Sequence, residues 1–229
     1  PGVATPVLDG AENYIKTLDH GGYFEVTTLS GEDLKKTELY HANAERRRAQ
    51  AAFADYGAYL DSLEMTATIR GFEPLYIQRI AQLTNKSNQF NLTTLRCSED
   101  DIRGMADDPS WLCLYGKLVD KFGDNGVVTV VAGQAEGETL HLRLWLMSCR
   151  VLKRGMEDVM MDGVVADAAA RGLKTIRGYY YPTAKNGMVK DFYAGMGFTR
   201  VEEDAEGNTT WELSVESYNA RHPHMKIER

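Results

Sequence analysis

One stretch, from Leu140 to Phe198, most constrains what this chain can fold into. Apolar residues alternate through TLHLRLWLMS, the pattern of a strand. After the short segment CRVLKRG they recur with the helical period through MEDVMMDGVVADAAARG. The change of period falls at Gly155. A second strand, LKTIRGYYY, and a second helix, TAKNGMVKDFYAGM, lead to a closing Gly197-Phe198. A strand, a loop whose backbone amides open a helix, and a returning strand form a natural cradle for an anionic or amide-rich arm.

The remainder reads as elements of the same sheet preceded by a leader. Residues 1–31 are rich in Gly, Pro and Thr and form a connector, with a short helix around Ala11–Leu18. Ser30 or Gly31 is placed to cap a charged helix running to about Leu63, with a possible break at Gly57. MTATIR at Met65–Arg70 is a strand, and Pro74 opens a helix through Leu83. Ser98 with Asp101 is a helix start of capping-box type, and that helix ends near Asp108-Pro109. Strands follow at Trp111–Asp120 and Val127–Gln134, with the turn expected at Asn125-Gly126 because that pair accommodates positive φ. A hairpin at Val201–Ala205 and Thr210–Val215 closes the domain, and the tail carries no pattern. The order β, α, α, β, β, β, α, β, α, β, β describes a mixed sheet with helices.

At 229 residues and 43% hydrophobic the chain buries a real core. Its net charge of −7 argues against a nucleic-acid partner, because no large surface neutralises phosphates. The basic run Arg46-Arg47-Arg48 reads as a solvated helix face. No apolar run is long enough to span a membrane, so no membrane partner is expected. Cys97, Cys113 and Cys149 lack metal-ligand spacing, which points to a reduced, cytoplasmic setting without a metal in this domain. Two histidines around Pro223 read as an exposed terminus rather than a metal site.

This order resembles the GNAT acyltransferase fold. The landmarks are the Arg154-Gly155 helix opening, Asn186, and Tyr193 followed by Gly197-Phe198 in NGMVKDFYAGMGF. The resemblance implies an α/β (α+β) domain that binds CoA, with the pantetheine arm against the fourth strand and the pyrophosphate on loop amides. In that loop this chain departs. LKRGME places Leu152 where Arg or Gln is expected and Glu157 where a small residue belongs. A carboxylate repels a pyrophosphate, which disfavours ordinary acetyl-CoA.

A narrower resemblance covers most of the chain. NKSNQFNLTT, DKFGDNG, LWLMSCRVLKRGME and YYYPTAKNGMVKDFY are similar to the C-terminal part of the FkbH-like family. That family joins an N-terminal HAD-type phosphatase domain to a GNAT-like domain, and its glyceryl-loading members move a glyceryl unit from 1,3-bisphosphoglycerate to an acyl carrier protein. The resemblance implies that residues 1–63 are a connector and helical leader following a HAD-type domain, and that 64–229 are the GNAT-like domain. The phosphatase domain and the carrier protein are then its expected partners, and carrier phosphopantetheine or CoA its cofactor.

On this basis Cys149, at the expected end of the fourth strand, is a candidate thioester carrier, and a small buried hydrophobe is its alternative. Tyr193 and His141 are candidate proton-transfer groups, with core packing as the alternative; His141 alternates in phase with Arg143, Trp145, Met147 and Cys149. Asn88, Gln89, Asn91, Thr93 and Thr94 are expected to line the acyl site or simply to cap their loop. Asp124, Asn125 and Arg150 stand behind them, the first two also explained as turn formers. Gly155 and Asn186 are the cofactor-binding candidates. The expected function is transfer of a glyceryl or similar small acyl group to a carrier phosphopantetheine. A CoA-dependent N-acetyltransferase and a non-catalytic carrier-docking module are the alternatives.

Overall fold

The computed structural model describes residues 6–7, 10–21, 36–221 and 224–229. Two compact units divide the chain, residues 1–41 and 42–229. In the first, a 3₁₀ turn at Ala11–Asn13 runs into helix α1, Tyr14–His20. The expected caps at Ser30 and Gly31 lie outside the described residues. Helix α2 spans Lys36–Gln50 and α3 spans Tyr56–Ser62. The expected break therefore lies at residues 51–55 rather than at Gly57. Asp55 starts α3 by accepting the Ala58 amide at 2.7 Å. Tyr59, Leu60 and Leu63, expected in the leader, lie buried in the second unit's core.

The second unit is built on one eight-stranded sheet. Its strands are β1 (Met65–Gly71), β2 (Trp111–Asp120), β3 (Gly123–Glu136), β4 (Thr139–Met147), β5 (Thr175–Tyr180), β6 (Thr199–Glu203), β7 (Thr209–Ser214) and β8 (Met225–Glu228). Their order across the sheet is β6-β7-β5-β4-β3-β2-β1-β8. Among the described residues, only the β4–β5 and β1–β8 pairs are parallel. The parallel step from β4 to β5 needs a crossover, supplied by helix α6, Met156–Ala170. Strand β8 was missed in the sequence, since its four residues pair only at the sheet edge.

Alternation sorts the core into two layers. Leu140, Leu142, Trp145 and Met147 pack with α6 and α3. Leu144 and Leu146 pack on the other face with α4 (Ile77–Lys86) and α5 (Glu99–Asp107). The Ser98–Asp101 capping box at the head of α5 is formed in both directions. The segment expected as a long second helix is shorter: a 3₁₀ turn at Gly187–Val189 and one turn of α-helix, α7, at Phe192–Gly195.

Two β-bulges change what the alternation implied. The β2–β3 turn is Lys121-Phe122, because Asp120 pairs with Gly123. Asn125-Gly126 instead forms an irregularity inside β3, with Gly126 at φ 69°. In β4, Ala132 faces Leu144 and Gly133 faces Leu142, so Arg143 is an extra residue. One inserted residue exchanges the faces of everything beyond it. His141 therefore points to the face opposite Trp145 and Met147, correcting the shared phase expected from the sequence.

Candidate functional site

Strands β4 and β5 pair only from Thr139–Thr175 to Leu142–Gly178, then part. The chain's own residues 90–92 fill the gap between them. Asn91 bridges Leu146; the Leu92 amide donates to the Trp145 carbonyl and the Met147 amide to the Phe90 carbonyl, both at 3.0 Å. On the far side the Tyr181 amide donates to the Leu92 carbonyl at 2.9 Å. Asn186 locks the segment. Fully buried, its Nδ2 donates to the carbonyls of Asn91 at 3.0 Å and Tyr181 at 2.9 Å, while its Oδ1 accepts the Thr183 amide. Phe90, Asn91 and Leu92 are all buried, and burying such a Phe and Leu contributes about 1.5–3 kcal/mol each. The segment is a strand of the sheet in all but length.

Beside this closed gap lies an open groove of about 550 Å³. The loop Lys153–Gly155 and the first turn of α6 form one wall, α7 another, and Phe90, Leu60, Arg221 and His224 complete it. Gly155 takes a left-handed conformation, φ 83°, and starts α6 without a side-chain cap. Glu157 serves instead: its carboxylate accepts the Lys153 amide at 3.1 Å. Burial nevertheless holds the Glu157 carboxyl above its ordinary range.

The groove loop is anchored from below. Asp120, fully buried, accepts Arg46 Nε and Nη2, each at 2.7 Å, and Arg154 Nη1 at 3.1 Å. Arg154 also donates to the Arg150 carbonyl, and the Tyr56 hydroxyl donates to the Lys153 carbonyl at 2.8 Å. Arg46 is thus a buried ion-pair member, not part of a solvated face. Asn125, also buried, reaches Leu118 O and the Asp120 carboxylate. Asp124 is exposed and accepts the Gly126 amide.

Of the residues singled out in the sequence as candidates, only Gly155 lines the groove. Cys149 is exposed, two residues beyond the end of β4 in a 3₁₀ turn at Cys149–Val151, and Arg150 Nε contacts Ser148 Oγ at 3.3 Å. Cys97 lies in the core and Cys113 packs partly buried against it, and burial pushes their thiols up to about 11 and about 12. Tyr193 is buried against Gly178, where even a methyl group would meet its ring. Burial raises the pKa of its hydroxyl.

His141 lies on the opposite sheet face from Tyr193, so the structure does not bring these two together. Its Nδ1 is 2.6 Å from the Tyr179 hydroxyl, and burial lowers its pKa. Arg143 stacks over Tyr179 and pairs with Glu136. In the loop before α5, Asn88 accepts Arg96, Thr93 donates to the Arg143 carbonyl, the Thr94 amide donates to Asn91, and Gln89 is exposed. The asparagines and threonines of this segment hold its own geometry. Phe90, the aromatic among them, is the residue that reaches the groove, and its isolation in a polar run was the available signal. Among the described residues no cluster of His, Cys, Asp or Glu is placed to hold a metal, and no helix is long and apolar enough to cross a membrane.

No protein-family profile and no curated protein sequence matches the chain. Solved structures do. A domain from Methanocaldococcus jannaschii aligns at TM-score 0.51 and 10% identity over 66% of this chain and 99% of that one. The spermidine N-acetyltransferase of Vibrio cholerae, solved with CoA and spermine, aligns at TM-score 0.50 and 11% identity over 66% and 96%. An acetyltransferase of the GNAT family from Streptococcus pneumoniae aligns at 0.50 and 14% over 65% and 98%. The chain has the GNAT fold.

Proposed function

We propose that this domain takes part in moving a glyceryl or similarly small acyl group to the phosphopantetheine thiol of an acyl carrier protein. It would act beside a HAD-type phosphatase domain of the same parent chain in the cytoplasm. The observation that carries this reading is the Glu157 carboxylate on the Lys153 amide, at the mouth of a groove that is otherwise open. A CoA diphosphate would have to displace that carboxylate and lie against its charge. The departure at Glu157 is thus a filled cradle, and the loop does not fit a diphosphate. A carrier's arm has one phosphodiester, fixed to the protein surface, and needs no such cradle. A groove of this volume falls within the range of small-molecule sites.

Cys149 is the proposed acyl carrier, an exposed residue on the turn that leads into the groove loop. Its thiolate attacks the carbonyl of an acyl phosphate or acyl thioester, and the phosphate or thiolate leaves. The carrier thiolate then attacks the Cys149 thioester, the bond to Sγ breaks, and the thiolate of Cys149 is restored. The test is intact-protein mass after incubation with a glyceryl-loaded carrier, for wild type and Cys149→Ala. A hydroxylamine-labile adduct on wild type alone supports the step. Carrier binding without any adduct makes the domain a docking module.

A second reading, CoA-dependent N-acetyl transfer, is favoured by the His141–Tyr179 pair, whose neutral imidazole suits removal of a proton from an amine. Acetylation of a polyamine by acetyl-CoA, abolished in His141→Ala, would establish it.

A further inference from the structure

We infer that Phe90 is a specificity-determining residue that ends the groove and restricts the domain to short acyl groups. This rests on the reading that the groove takes an acyl-pantetheine arm, and it adds where that arm must stop.

Phe90 is the lining residue that comes from the closed gap. Its backbone is pinned there, its carbonyl accepting the Met147 amide at 3.0 Å. Its ring meets Phe192 edge-on at 5.1 Å, and Phe192 in turn meets Trp145 at 4.8 Å. The next two residues along the chain, Asn91 and Leu92, are fully buried and do not line the groove. An arm entering past Lys153 and Gly155 therefore runs between α6 and α7 and meets an aromatic wall. It cannot continue along β4, because the gap-facing Trp145 carbonyl and Met147 amide already pair with the chain's own residues. A short polar acyl group ends before the wall. A longer chain must displace the Phe90 ring and the buried segment that carries it. Removing the ring, while Leu92 and Asn186 keep the segment in place, opens space at the end of the groove.

The test measures binding of S-acetyl-, S-glyceryl- and S-octanoyl-pantetheine to the full chain by calorimetry, for wild type, Phe90→Leu and Phe90→Ala. Wild type should bind the two short thioesters and discriminate against octanoyl by about tenfold or more. Phe90→Ala should erase that discrimination, and Phe90→Leu should reduce it. Equal binding of short and long thioesters by wild type would overturn the wall, leaving the groove reading intact, and requires neither variant to fold. Unchanged discrimination in folded Phe90→Leu or Phe90→Ala would also overturn it. Failure of wild type to bind any of the three would overturn the groove reading and the inference with it.

Discussion

The gap between β4 and β5 and the groove at the head of α6 adjoin at Phe90, yet they are opposite in character. In the gap the chain satisfies its own backbone: carbonyls and amides of residues 90–92 pair on both sides, and the side chains are buried. In the groove, Lys153, Glu157, Arg221 and His224 face an open volume, over an ion-pair base of two guanidiniums and one carboxylate. The space beside β4 and α6 is thus divided: the gap is filled by the chain's own backbone, and the groove is left open.

The largest expected effect strikes the groove's base. Asp120→Ala leaves Arg46 and Arg154 buried without their carboxylate, and should cost about 3–5 kcal/mol in urea unfolding. Amide exchange at Leu92 should stay slow in the native state of that variant, if groove and gap are separate devices. Leu92→Ala tests the gap, removing a fully buried side chain at about 2–5 kcal/mol. A loss below about 1 kcal/mol would mark the segment as a loose flap rather than a strand.

Glu157→Ala should raise CoA affinity by about tenfold, since it frees the Lys153 amide and removes the opposing charge. Unchanged affinity would mean that the loop is not the barrier. The smallest effect concerns His141. Its folded pKa lies below the ordinary 6.5, so below that pH the unfolded chain binds a proton that the folded chain refuses. Stability should fall as pH drops from 6.5 toward the folded value and show no such dependence above it. His141→Gln should flatten that slope in thermal melts, and an unaltered slope would place the titration elsewhere.

Much of the fold was legible because strands such as Met65–Gly71 carry a clean alternation, and because the apolar run from Met156 to Ala170 is too long for a strand. Ser98–Asp101 announced its helix by chemistry alone. The site was less legible for a specific reason. One extra residue at Arg143 reverses the side-chain phase of β4, and no local signal in LHLRLWLM marks it. Likewise Asn125-Gly126 suits a turn and a bulge equally, and only its pairing decides. The Asn88–Thr94 run is dense in amides and hydroxyls, yet those groups bond neighbouring protein groups, while Phe90 and Leu92 set its place in the sheet. Arg46 and Arg154 meet Asp120 only through tertiary structure, so a basic run on a helix gave no hint of a buried partner.

The most direct measurement sets CoA against 4′-phosphopantetheine in calorimetric titrations of the unmodified chain under identical salt. The divided site predicts that phosphopantetheine binds and that the added diphosphate and adenosine of CoA bring no gain in affinity. CoA binding at least tenfold tighter than phosphopantetheine would contradict it, because the α6 loop would then be a working diphosphate cradle despite Glu157.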